Sequence, residues 1–210
     1  MRADIAEGLR FLWRHRLLRS FAVMVGVSNF GSNAAFTVMV LFAVGPASPM
    51  GLSEPGYGVL MTAVAAGSLV GALFASRIED LLGRVWALRA SVLTFGVLVG
   101  LPALTAVPYL IAGGFFLGGV GIAVWNVITV SLRQRITPDS MLGRVNSGYR
   151  LLAWGTMPLG AAAGGLLAEL FGLTAVFASM GLLSLSLLVG LTRLDDATLE
   201  AAEREAEGHG

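Results

Sequence analysis

Asn29, Asn33 and Thr37 recur every four residues in "NFGSNAAFT", within an otherwise apolar run, and Asn126 and Thr129 stand three apart in "WNVIT". Such spacing is close to one helical turn, so each set shares a helix face. Carboxamides and hydroxyls are neutral donors and acceptors. On a helix surrounded by lipid they can line a polar cavity, or they can bond one helix to the next. Both readings apply to all five residues. Trp125 and Trp154 can wall the same cavity or pack against neighbouring helices.

Other chemistry is missing from the chain. His15 and His209, the two histidines, lie in charged flanking segments, and there is no cysteine. The HExxH zinc motif and the GxxxxGK[ST] phosphate loop are both absent. No Asp, Glu, Arg or Lys falls in the centre of an apolar run, where a carboxylate would serve as a proton relay. The residues therefore point away from an enzyme and call for no cofactor or metal.

The elements that position the neutral polar groups follow from composition. Of 210 residues, 56% are hydrophobic and 13% charged, too little polarity to cover a soluble domain of this size. A membrane helix needs about 20 apolar residues. Six runs qualify, at about 20–45, 57–76, 90–107, 109–132, 151–169 and 172–192, and the fifth span begins near Arg144 with its first turns outside the hydrocarbon, so that it covers 144–169. This predicts an all-α membrane protein with a six-helix transmembrane domain over 20–192. Residues 1–19 place Ile5, Leu9, Leu12 and Trp13 at helical spacing among arginines, as in an amphipathic lead-in helix at the membrane surface. The acidic segment 193–210 forms a tail, either a short helix or solvated. The net charge of +1 implies no attraction to nucleic acid.

All fourteen basic residues are arginines. They fall in the lead-in (2, 10, 14, 16, 19), between runs two and three (77, 84, 89), between runs four and five (133, 135, 144, 150), and in the tail (193, 204). With six spans these four places share one side of the membrane. The positive-inside rule makes that side cytoplasmic, with both termini on it. Asn29 and Asn126 then lie on the order of 10 Å in from their cytoplasmic ends.

Without a hydrophobic drive between helices in lipid, close backbone approach must hold the spans together. Ala63, Gly67, Gly71 and Ala75 repeat every four residues in the second span; Gly114 and Gly118 do so in the fourth, and Gly160, Gly164 and Ala168 in the fifth. Pro158 removes a backbone donor from the fifth span and predicts a bend there.

The segments "EGLRFLWRHRLLRS", "EDLLGR" and "RQRITPDSMLGRVNSGYRLLAWGTMPLGAAAGGLLAELFG" together resemble the C-terminal half of a major facilitator superfamily transporter. The resemblance runs over about residues 5–192 and is strongest to the exporter branch of siderophore (enterobactin-type) and macrolide efflux proteins. The superfamily signature G-x-x-x-D-R-x-G-R-R is matched at Asp80, Gly83 and Arg84, whereas Ser76, Leu81 and Val85 depart from it. Such departures suit the degenerate copy between helices eight and nine. The resemblance implies two inverted three-helix repeats, with spans one and four bordering a midplane substrate cavity. It also implies that Asp80 and Arg84 latch this half to another on the cytoplasmic side.

The expectation is a half-unit or fragment of a transporter in a bacterial inner membrane, exporting an amphipathic small molecule by alternating access. Its partners would be that molecule, the lipid bilayer and the other six-helix half, supplied by the same longer chain, a second copy or a separate subunit. The competing expectation is a membrane structural or interaction subunit that binds through its small-residue faces and transports nothing.

Overall fold

The computed structural model describes residues 2–192 and Leu199, with side chains from Glu7 onward. The rest of the expected tail over 193–210 lies outside them. A lead-in helix α1 (Arg2–Arg14) is followed by α2 (Arg16–Ala43), α3 (Glu54–Leu82), α4 (Arg84–Gly100), α5 (Pro108–Ile136), α6 (Leu142–Phe171) and α7 (Leu173–Leu191). Among the described residues, six helices, α2 to α7, are long and apolar enough to cross a membrane. Several outrun the apolar stretches that announce them. α3 continues to Leu82 and α5 to Ile136, carrying their arginines on helix. Helical hydrogen bonding continues past the end of the apolar stretch, so composition marks the span and not the helix.

Local chemistry sets the ends. Ser53 caps α3 by accepting from Gly56 N at 3.3 Å, with a proline in the first turn. Pro108 opens α5. α4 gives way to a single 3-10 turn, Leu101–Ala103, with Pro102 buried. The α3–α4 and α6–α7 hairpins each turn on one glycine, Gly83 (φ 78°) and Gly172 (φ 85°). Positive φ with extended ψ is territory that side-chain-bearing residues avoid.

The two glycine turns are one sign of an internal repeat that relates α2–α3–α4 to α5–α6–α7. α3 packs along α5 as α6 packs along α2; α4 packs on α5 as α7 packs on α2; α4 and α7 pack on each other. The closest approaches repeat too. Gly67 and Gly71 of α3 sit against the carbonyls of Phe116 and Val120 on α5, and Gly160 and Gly164 of α6 against those of Phe30 and Ala34 on α2. A methyl group at any of the four would meet backbone.

Two glycines of the fourth span act differently. Gly114 and Gly118 lie under the side chains of Leu101 and Leu98. α1 packs on the start of α6, where Gly8 faces the Arg144 carbonyl and Glu7 Oε2 pairs with Arg144 Nη1 at 2.9 Å.

Candidate functional site

α2 and α5 run side by side without packing closely. Two edge-to-face aromatic pairs bridge the space: Phe21–Trp125, with ring centres 5.7 Å apart, and Phe36–Phe115, at 5.8 Å. Phe21 and Phe36 are fifteen residues apart on α2, about 22 Å along the axis. Between the two pairs lies a cavity of about 190 Å³. α2 contributes Ser28, Asn29, Ser32 and Phe36 to its wall, and α5 contributes Trp125 and Asn126. Ser91 and Phe95 of α4 and Leu187 of α7 close the back. Aromatic and aliphatic surface dominates, and no side chain in the lining is ionisable.

The polar groups divide by whether the protein already occupies them. Asn29 Nδ2 donates to the Ala153 carbonyl of α6 at 2.7 Å, which leaves its amide oxygen as an acceptor. Ser32 Oγ donates to the Asn29 carbonyl at 3.2 Å, and Ser91 Oγ to the Ala87 carbonyl at 2.8 Å. Among the described residues, neither Ser28 nor the exposed Asn126 amide has a hydrogen-bond partner. The cavity therefore offers one hydroxyl, one complete amide and one amide oxygen on an apolar wall. That set can orient a largely apolar guest through a few neutral hydrogen bonds.

Of the residues singled out from sequence, Asn29, Trp125 and Asn126 meet at this cavity. Asn33, Thr37 and Thr129 are not in its lining. Asn33 Nδ2 donates to the Asn29 carbonyl at 2.9 Å, and Thr37 Oγ1 to the Asn33 carbonyl at 2.7 Å. Thr129 is buried, its hydroxyl on the Trp125 carbonyl at 2.8 Å. Helical drift explains the first two. Every-fourth spacing advances about 40° per step, so Thr37 has turned about 80° from Asn29. The cavity instead follows 25, 28, 29, 32 and 36. Ser28 and Ser32 on that track carry a readable signal, beside Asn29 at helical spacing. Ser91 and Phe95 carry none, because α4 reaches the cavity only through packing. Trp154 is exposed beneath the Arg150 guanidinium, 4.9 Å from its ring centre.

Pro158 lies inside α6, one turn beyond the carbonyl that Asn29 holds. It removes the N–H that would bond the Trp154 carbonyl. In the same turn Ala153 O also accepts from Thr156 Oγ1 at 3.1 Å. At the α3–α4 turn, Arg84 Nε pairs with Glu79 Oε1 at 2.7 Å. Asp80 is exposed and has no hydrogen bond or ion pair among the described residues.

The family described as the Major Facilitator Superfamily matches residues 8–209. The chain is 30% identical over 187 residues to the multidrug efflux pump Tap of Mycolicibacterium fortuitum, covering 86% of this chain and 43% of that protein. The Tap pumps of Mycobacterium bovis and Mycobacterium tuberculosis give the same identity over 86% of this chain and 42% of theirs. The chain thus spans less than half the length of these relatives. No solved structure matches it.

Proposed function

Because the chain belongs to the major facilitator superfamily, a superfamily of membrane transporters, we propose that it forms the C-terminal six-helix half of a drug exporter. A second six-helix half would complete the transporter, and alternating access would carry an amphipathic small molecule across a bacterial inner membrane. The observation that carries this reading is the cavity between α2 and α5, with Ser28, Asn126 and the Asn29 amide oxygen unoccupied on an aromatic wall. A guest with several formal charges would lose its hydration there without gaining an ionic partner. The site suits a neutral or weakly charged, ring-bearing guest. The relatives named as multidrug pumps favour a drug over a siderophore as that guest.

The faces of α3 and α6 support a missing half. Leu69 and Leu73 on α3 and Leu159 and Leu166 on α6 stand exposed, with Leu73 and Leu166 at equivalent places in the repeat. Asp80, without a hydrogen bond or ion pair among the described residues, is the latch group available to the other half, while Gly83 shapes the turn that presents it. Any proton-coupling carboxylate would lie in that half.

In the complete transporter, Asn126→Leu should lower efflux of a lipophilic dye roughly tenfold, given a lost hydrogen bond and a filled cavity mouth. Export at the wild-type rate, with equal protein in the membrane, would sink the cavity assignment. Copurification of the chain with an unrelated membrane subunit, and no efflux from that assembly, would favour the interaction-subunit reading instead. The same proposal turns the arginine-bearing ends to the cytoplasm. On this cysteine-free chain, Ser48→Cys should react with an impermeant maleimide in intact cells and Ser140→Cys should not; the reverse pattern overturns the orientation.

A further inference from the structure

The arginines of the cytoplasmic turns and those of the lead-in corner are held differently. Arg77 lies 5.5 Å from the Phe74 ring centre, Arg89 4.9 Å from Trp86 and Arg133 4.0 Å from Tyr149. Arg84 pairs with Glu79, Arg144 with Glu7, and Arg150 stacks on Trp154. Each has a partner within the fold. At the corner where α1 turns into α2, Arg10, Arg14 and Arg16 are exposed and have no ion pair, hydrogen bond or ring contact among the described residues. Arg19 makes one long bond, Nη1 to the Trp13 carbonyl at 3.5 Å.

That bond ties the first turn of α2 to the last residues of α1, so Arg10, Arg14, Arg16 and Arg19 all lie in the short stretch of chain around this corner, with Trp13 49% exposed among them. No acid lies in the first turn of α2. Glu7, on the preceding part of α1, is held by Arg144. Among the described residues no acid pairs with Arg10, Arg14 or Arg16, so the corner concentrates positive charge. It also sits where the chain enters lipid, because the apolar run of the first span begins within a few residues of it.

We propose that this corner binds the phosphate of an anionic phospholipid, with Trp13 lying among the glycerol and upper acyl carbons of the same molecule. Guanidinium groups match phosphate by forked hydrogen bonds, and an exposed indole favours the headgroup boundary. The phosphate neutralises charge that no described residue pairs with, and the lipid anchors α1 on the bilayer while its other face stays packed on α6. The site is independent of transport and of the cavity.

Native mass spectrometry of the purified chain from mixed phosphatidylglycerol and phosphatidylcholine micelles tests this. The wild type should retain phosphatidylglycerol in preference, and R10Q/R14Q/R16Q should lose that retention roughly tenfold. The control R77Q/R150Q removes two positive charges that have internal partners and should retain lipid as the wild type does. The single variants Arg10→Gln and Arg14→Gln, which disturb folding less, should each show part of the loss. The proposal is overturned if the triple variant keeps its lipid, or if the control loses as much per charge removed. Inorganic phosphate that displaced the lipid at millimolar concentration would mark a site for the free anion, and that too would overturn it.

Discussion

The α3–α5 and α2–α6 helix pairs are built alike and furnished differently. Each is closed by two glycines four residues apart, set against carbonyls four apart on the partner helix. Across α3–α5, Ser68 Oγ donates to the Gly119 carbonyl at 3.2 Å. Across α2–α6, Asn29 holds Ala153 at 2.7 Å, Thr156 shares that carbonyl, and Pro158 lies within the continuous helix a turn later. Glycine contact is common to both pairs, so it sets the helix spacing. The fuller polar set occurs only where α2 also borders the cavity. Glycine contact is therefore what the two pairs share, and the polar atoms of α2 are what sets them apart.

The largest expected effect tests the shared part. Gly67→Val and Gly160→Val should each destabilise the protein by about 1–3 kcal/mol or more, because the obstacle is a backbone carbonyl that cannot rotate aside. Gly165→Val, one residue away from the α2–α6 seam and facing open space, should stay within about 0.5 kcal/mol of the wild type. Thermal unfolding in detergent measures all three. If Gly67→Val melts with Gly165→Val, close packing is not what holds α3 to α5. If only one of the two seam variants is destabilised, the repeat does not extend to energetics.

Much of this scaffold is legible in the sequence, since lipid imposes strong rules. A span must be an apolar run of sufficient length, and helices that cannot use the hydrophobic effect must use small residues. Gly67, Gly71, Gly160 and Gly164 stand out for that reason. What each glycine faces does not, because the partner helix lies tens of residues away. Gly114 and Gly118 have the same spacing, yet they accommodate leucine side chains instead of a backbone. The cavity is legible in part. Carboxamides in an apolar run draw attention to Asn29 and Asn126; Ser28 and Ser32 show only through their spacing beside Asn29, and Ser91 does not show at all. The track of the cavity along α2, at three- and four-residue steps, decides which polar neighbours reach it, and an every-fourth pattern mistakes Asn33 and Thr37 for members.

The smallest expected effect on stability is the most informative about function. Ser68→Ala and Asn29→Leu each remove one hydrogen bond between helices, worth roughly 0.6 kcal/mol on average within a membrane. For Asn29 the cost is limited further, because Thr156 Oγ1 remains on the Ala153 carbonyl at 3.1 Å. Both variants should therefore melt close to the wild type. They should separate in the complete transporter. Ser68 is not in the lining of the α2–α5 cavity, so its loss should leave dye efflux unchanged. Asn29 presents its amide oxygen to the cavity while gripping the turn that precedes Pro158, so its replacement should alter both the rate of efflux and the range of molecules exported. Equal behaviour of the two variants would mean that the polar set on α2 is a hydrogen bond between helices and nothing more. A separation in transport without a separation in melting would assign Asn29 to the guest, because the bond to α6 contributes too little to account for it.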